Sequence, residues 1–416
     1  MEKTQTDKTA RQRLATSLTR EGVIFITVVL LLFLGASLRE VNLLLLLASL
    51  LCCVFLVTWR LGRRTLRDLK VRRILTSQCY AGEMFVVTLE LENTRKKLPA
   101  WAVVVEDSLQ FGNGNDRNNG MNGIGKRVLR PAVFFEYVPA LEKRKKTYAG
   151  ILPQRGRYQL GTLTLSTRFP CGLFRIRREM NDSGKTSTLT ILPRLGKLSS
   201  HWLARAHEAT ETRHRLRFRP SRVSGEFLGL RNWRSGDLRR WIHWRASVRH
   251  GQLVVRQFEQ HRNHDATVLL DLYQPETPGV REMENIELAV SLAATLLTEM
   301  SRHGVTNLSL GVYDPVEQRA VLLDGPVSTP LLDSMLEALA TIEPTSQDML
   351  QELFRSATAG MEQRGDIFLI SPRALDVAST TRLDELRGDS RFRQMIGRIR
   401  VTDTSNPELS DFFTYQ

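Results

Sequence analysis

Two apolar runs near the start constrain this chain more than any other feature. Residues 22–38 carry no charge over 17 positions, and residues 41–59 carry none over 19, with only Arg39 and Glu40 between them. As helices rising about 1.5 Å per residue they reach roughly 26–28 Å, close to the hydrocarbon thickness of a bilayer. Lipid offers the backbone no hydrogen bonds, so a transmembrane helical hairpin is the expected form. Lys3, Lys8, Arg11, Arg13 and Arg20 precede the first run, and Arg60, Arg63, Arg64, Arg67, Lys70, Arg72 and Arg73 follow the second. The positive-inside tendency therefore predicts a multi-pass protein of the inner (cytoplasmic) membrane with both termini cytoplasmic. Trp59 stands where an interfacial anchor would. The competing readings are a buried hairpin in a soluble protein, or a signal peptide cleaved near Gly35-Ala36-Ser37. A signal peptide leaves the second run unexplained.

A chain of 416 residues needs more than one core. Its net charge of +15 is unevenly placed: +8 over residues 1–73, +10 over 74–200, +9 over 201–262 and −12 over 263–416. A basic body thus precedes an acidic C-terminal domain, a pattern that suits a nucleic acid, an anionic membrane surface or contact between the halves. The four cysteines form no CxxC pair, which argues against a disulfide framework or a zinc ribbon.

Residues 84–93 alternate Val87, Leu89 and Leu91 with Thr88, Glu90 and Glu92, the pattern of a half-buried strand. Residues 101–105, 133–138 and 162–166 also read as strands. Gly82, Pro153, Gly156, Gly161, Pro170 and Gly172 punctuate the region, so residues 74–200 are expected to form a β-sandwich-like domain. Residues 120–127, GMNGIGKR, fall one short of a P-loop and put Arg127 where the magnesium-binding hydroxyl belongs; a strand pattern follows instead of a helix. Lys185 and Thr186 make no P-loop either, because Glu179 takes the first glycine position.

The densest cluster of arginine and tryptophan lies in residues 224–259. Ser235 or Asp237 can cap a helix that carries Leu238, Trp241, Ile242, Arg245 and Val248 and ends at Gly251. Three roles compete: a structural junction, with Glu226 and Glu259 pairing arginines and Trp241 and Trp244 in the core; a protein-docking surface; and a nucleic-acid or phosphate surface. Aromatics at helical spacing favour the junction.

The motif Ser224-Gly225-Glu226-Phe227, Leu230-Arg231, Trp233, Gly236-Asp237, Ile242-His243-Trp244, Ala246-Ser247 and the run from Leu253 through Arg256 to Glu259 resembles the signature of domain-of-unknown-function family 58. Gly156-Arg157-Tyr158 and Pro170-Cys171-Gly172-Leu173-Phe174 resemble its middle region, and proteins of that family begin with two membrane helices. The resemblance implies a C-terminal domain like von Willebrand factor A and an association with MoxR-type AAA+ ATPases in assembly or chaperone-like work. Within the motif, Glu226, Arg231, Asp237, His243, Trp244, Arg249 and Arg256 are the residues expected to matter, by holding the junction.

From Asp265 onward strands and helices alternate: strands at 266–272, 308–313, 320–323 and 366–370, and helices at 284–304 and 329–341. Such alternation indicates an α/β domain with a parallel sheet, whose ligands bind beyond the carboxyl ends of the strands. A von Willebrand A-like domain would there offer D-x-S-x-S to magnesium. This chain has Asp271, Tyr273 and Pro275, and Ser371 stands where a later aspartate is expected. Asp271, with or without Asp314, is a poor cage for a hard cation. No metal and no cofactor are expected, and the metal site reads as degenerate.

Seven of the eight histidines lie between His201 and His264, yet Glu211 stands where H-E-x-x-H needs its second histidine. His243 with Asp237 is the one acid/base pair the spacing offers, and no nucleophile accompanies it. The expectation is a multidomain α+β chain: a basic N-terminus (1–21), a two-helix hairpin (22–59), a β-sandwich-like domain (74–200), a basic segment (201–262) and an acidic von Willebrand A-like domain (263–416). It is expected to act as a membrane-anchored adaptor through protein contacts and not as an enzyme. The alternatives are a nucleic-acid- or phosphate-binding membrane protein and a metal-dependent hydrolase.

Overall fold

A computed structural model describes residues 14–39, 42–75, 78–112, 128–180, 188–199, 227–235, 237–258, 265–302, 305–360, 365–375, 383 and 386–415. The near-P-loop at 120–127, the 181–187 stretch, Ser224, Gly225, Glu226, Gly236, Glu259 and the histidines of 201–214 and 261–264 lie outside them. The chain divides into two compact units, Met1–Pro193 and Arg194–Gln416.

The first unit opens with a strand, β1 (Leu14–Leu18), inside the stretch expected to be only a basic N-terminus. Helices α1 (Arg20–Arg39) and α2 (Asn42–Thr65) follow, both long and apolar enough to cross a membrane. Only 11% of either apolar stretch is buried, unlike the core helix of a soluble protein. Small residues are buried among the exposed leucines, Ala36 of α1 and Ala48 of α2. Small side chains let helix backbones approach closely where lipid surrounds them.

Twelve strands follow: β2 (Leu69–Leu75), β3 (Cys79–Tyr80), β4 (Met84–Asn93), β5 (Ala100–Glu106), β6 (Leu109–Phe111), β7 (Val128–Leu129), β8 (Ala132–Val138), β9 (Lys143–Ile151), β10 (Gly156–Leu160), β11 (Leu163–Thr167), β12 (Phe174–Met180) and β13 (Thr188–Leu192). They form three sheets, ordered β1-β12-β11-β5-β8, β3-β13-β10-β6-β7 and β2-β4-β9, around one apolar core. The alternation in β4 buries Phe85, Val87, Leu89 and Leu91.

The helices are joined to this core at their feet. Thr19 caps α1, accepting from the Gly22 N–H at 3.1 Å, while its hydroxyl donates to the Gly172 carbonyl at 2.6 Å and its N–H to the Leu173 carbonyl at 3.1 Å. A Cβ on Gly22 would overlap the Leu173 carbonyl oxygen, and one on Gly62 would lie 3.0 Å from the Phe169 carbonyl oxygen. Close backbone approach requires glycine at position 22 and crowds any side chain at position 62. Phe174 meets Phe55 of α2 at 4.7 Å between ring centroids, and Phe55 stacks on Phe25 of α1 at 6.2 Å. The residues that do this, 168–174, include the Pro170–Phe174 motif.

A buried ion pair holds the three sheets together. Arg73 of β2 forks onto Asp107, just after β5, at 2.9 and 2.5 Å, and donates to the Gly161 carbonyl at 2.6 Å. The Tyr148 hydroxyl of β9 donates to Asp107 at 2.8 Å, and the Ser108 N–H does so at 2.6 Å. Burial, reinforced by the charge of Asp107, pushes the Tyr148 hydroxyl far above its usual range, so it stays a donor.

The second unit contains β14 (Gly196–Leu198), β15 (Phe227–Asn232), α3 (Trp244–His250), β16 (Val254–Phe258), β17 (Asp265–Leu270), α4 (Val280–Arg302), β18 (Asn307–Asp314), β19 (Arg319–Pro326), α5 (Thr329–Thr341), α6 (Leu350–Gly360), β20 (Asp366–Ser371), α7 (Ser390–Ile396), β21 (Ile399–Asp403) and β22 (Phe413–Tyr415). Its main sheet runs β19-β18-β17-β20-β21. All neighbours are parallel except β19, which is antiparallel to β18. Leu269, Ile367 and Leu369 share a core with Leu353 and Phe354 of α6 and Phe392 of α7. Strand β14, expected within the middle domain, instead pairs with β22.

Because the Arg73–Asp107 pair is almost wholly buried, removing one partner strands the other charge. Asp107→Ala should cost roughly 3–5 kcal/mol, measured as the shift in denaturant midpoint of the detergent-solubilised chain. Asp107→Glu should recover part of the loss.

Candidate functional site

The main sheet of the second unit changes direction between β17 and β20. From β17 the chain goes to β18 on one side and returns later to β20 on the other. In open sheets such a switch point opens a crevice at the carboxyl ends of the strands. Asp271 directly follows β17, and Ser371 is the last residue of β20. The structure brings these two predicted residues together: the Ser371 hydroxyl donates to Asp271 Oδ2 at 3.1 Å.

A residue that the spacing did not mark completes the site. Arg373 Nε donates to Asp271 Oδ2 at 3.2 Å, and Nη2 donates to Asp348 Oδ1 at 2.8 Å. Its guanidinium also lies 4.1 Å over the ring of Tyr273. Tyr273 is held by pairing with Thr345, flanked by bonds from Thr345 N–H to the Leu272 carbonyl and from Gln274 N–H to the Thr345 carbonyl. Pro275 follows half-buried, and no hydrogen bond carries it to the carboxylates. Asp314 does not join them: its carboxylate accepts from the Val316 N–H at 2.8 Å within its own turn.

This donor set does not suit a divalent cation. Such an ion needs several oxygen ligands around one point, and here a guanidinium bridges the two carboxylates, with an aromatic face beneath it. Among the described residues no three His, Cys, Asp or Glu side chains gather as ligands. Arg373 is a cation tethered to the chain.

Burial pushes the Asp271 carboxyl above its usual value, opposed by the Arg373 charge and the Ser371 hydrogen bond. Burial also works against the charge of Arg373, but the Asp348 hydrogen bond and the charges of Asp271 and Asp348 outweigh it and raise its value.

The basic hairpin is a second candidate. Strands β15 and β16 pair antiparallel, with a 3-10 turn at Arg239–Trp241 and α3 between them. Asp237 does not cap a helix; it takes a bidentate pair from Arg231 at 2.7 and 2.6 Å and accepts from the Arg234 N–H at 2.8 Å. The Arg231 hydrogen bonds hold the Asp237 carboxyl below its usual value. The cap falls to His243, whose Nδ1 accepts from the Ala246 N–H at 3.1 Å. With Asp237 on Arg231 and His243 on the backbone, the two form no acid/base pair. The helix is therefore shorter than the spacing suggested, ending at Gly251 in the left-handed conformation, φ 63°.

Ile242, Ser247, Val254 and Val255 form the buried side of this element. Trp244, expected as core, is 64% exposed, and Val248 is 83% exposed. Trp233, Leu230 and Leu253 are exposed too, as are Arg249 and Arg256. Phe227 begins β15.

The raised value of Asp271 sets a sign for pH. The contribution of this carboxyl to stability is fully present below its ordinary value of 3.8 and is lost as pH climbs through the raised value. Arg373→Ala removes the largest opposing charge and lifts that value further. The variant should lose about 3 kcal/mol near neutral pH, and the gap from the parent should narrow as pH falls toward the carboxylate range. Denaturant midpoints measured across pH check both the size and the direction.

Among solved structures, the chain is similar to the CARDB domain of a Pyrococcus furiosus protein, at 10% identity over 30% of this chain and 92% of that one, with a TM-score of 0.18. It is also similar to Spo0M, a sporulation control protein from Bacillus subtilis, at 12% identity over 40% of this chain and 58% of that one, with a TM-score of 0.16. No curated protein matches it. Residues 229–412, from the basic hairpin through the Asp271–Arg373 centre, match the family described as Protein of unknown function DUF58.

Proposed function

We propose that this chain is a membrane-anchored adaptor that works through protein contacts, with a MoxR-type AAA+ ATPase as the partner in assembly or chaperone-like work. The observation that carries the reading is Arg373. A guanidinium seated between Asp271 and Asp348 gives the carboxyl end of the sheet its own cation, so the face can be rigid without metal chemistry. Taken in chain order, the strands stand 3-2-1-4-5 with the third antiparallel, an order compatible with a degenerate von Willebrand A-like domain. The β-strands around the first core are read as a sandwich-like spacer.

The hairpin α1–α2 is read as the anchor. Strand β1 precedes α1 and pairs with β12, which follows α2, from Leu14 opposite Arg178 to Leu18 opposite Phe174. A hairpin with both flanks in one sheet leaves and re-enters the membrane on the same side. The surrounding arginines and lysines support reading that side as the cytoplasm.

For docking, the exposed side of the basic hairpin has the composition of interface anchors: Trp244 and Val248 stand clear of the fold, with arginines around them. The Asp237 carboxylate is committed to Arg231 and His243 Nδ1 to its cap, so the two do not act as an acid/base pair.

Native capture of the full chain in mild detergent should enrich an AAA+ ATPase. Trp244→Ala with Val248→Asp should reduce that enrichment by about tenfold or more, while the melting profile stays unchanged. Capture of nucleic acid that is released by salt, with no ATPase, would replace this reading with the nucleic-acid alternative.

A further inference from the structure

We infer that the edge of the first unit carrying Trp101, Tyr137 and Phe169 is a second membrane contact, seated in the headgroup region of an anionic bilayer beside the helical hairpin. The inference rests on the reading of α1 and α2 as a membrane hairpin and goes beyond it.

Length is the first argument. The β-unit does not merely hang from the ends of the helices. Its Phe174 meets Phe55, which stacks on Phe25, so the unit reaches one helical turn further along α2 than Trp59. From Phe25 to Leu38 there are 14 residues, and from Leu43 to Phe55 there are 13. At about 1.5 Å each these cover only roughly 20 Å, against about 30 Å of hydrocarbon. A bilayer around this hairpin must therefore extend down to the 168–174 loop. Whatever flanks that loop lies at interfacial depth.

The flank is aromatic and exposed. Trp101 stacks on Phe169, with ring centroids 6.0 Å apart and planes 16° apart, and lies 4.5 Å from Tyr137. Trp101 and Tyr137 are each 43% exposed. Phe169 connects them to the hairpin, since its carbonyl is the group that approaches Gly62. Tryptophan and tyrosine favour this depth because one part of the ring system is apolar and the other seeks water.

Charge decides the lipid. Arg168 is exposed next to Phe169, and Arg63 covers Trp59 at 5.1 Å. The segment leading into Trp101 bonds to the foot of α2, from Arg95 Nη1 to the Arg64 carbonyl at 2.8 Å, and exposes Lys96 and Lys97. Cations flanking an apolar ring cluster suit anionic headgroups above acyl chains.

The test uses the full chain in bilayers of phosphatidylcholine with a minority of phosphatidylglycerol, made either plain or with bromine near the top of the acyl chains. Subtracting the emission of Trp101→Phe from that of the parent isolates Trp101; Trp59→Phe does the same for Trp59. The expected result is that bromine dims both components, that of Trp101 at least about twofold, as for an interfacial indole. A Trp101 component indifferent to bromine while that of Trp59 is quenched would leave the hairpin inserted and overturn the second contact. If neither is quenched, the hairpin reading and this inference fall together.

Discussion

The first unit depends on a contact between backbones. The Leu173 carbonyl comes so close to α1 at Gly22 that no side chain fits there, and the Phe169 carbonyl crowds α2 at Gly62. Thr19 then fixes the foot of α1 with its own N–H and hydroxyl. A loop of the β-core thus holds both helices at once, and Phe174 carries the core up against Phe55 of α2. With the helices fixed there, the orientation of every strand relative to the hairpin follows.

A second theme is how the chain neutralises buried or half-buried carboxylates. Asp107, Asp237 and Asp271 each meet an arginine: Arg73, Arg231 and Arg373. A guanidinium offers a planar fork of donors and keeps its charge, so it satisfies a carboxylate in a fixed direction. The first pair ties sheets together, the second closes the entry to the basic hairpin, and the third fills the end of the parallel sheet. In all three the cation belongs to the polypeptide, and its position is set by folding.

Much of this was legible where periodicity is local. Strand β4 and helix α5 fall on the expected residues because alternation in one, and Leu332, Met335, Leu336 and Leu339 in the other, need no distant partner. Strand β9 was missed because Lys143, Arg144, Lys145 and Lys146 make it look like a solvated loop; its cations in fact lie along exposed positions, with Lys143 and Lys145 near Glu90. Strand β1 was missed because five residues of mixed polarity have no pattern of their own. Asp271 and Ser371 were marked by their strand ends, but Arg373 was not, since its partner lies 102 residues away. His243 caps a helix through Nδ1, a local role that its spacing from Asp237 did not reveal, and Asp237 is paired with Arg231 instead.

The pairing of β1 with β12 also fixes an order of events during synthesis. Ser17 bonds to Arg175, 158 residues later. Both apolar helices are complete long before β12 is made, whereas the short strand ahead of them must wait until nearly the whole unit has left the ribosome. The two helices are therefore complete before the sheet that takes up their leading strand can form. Docking of β1 along the edge of β12 is the step that completes the sheet beside the helical hairpin.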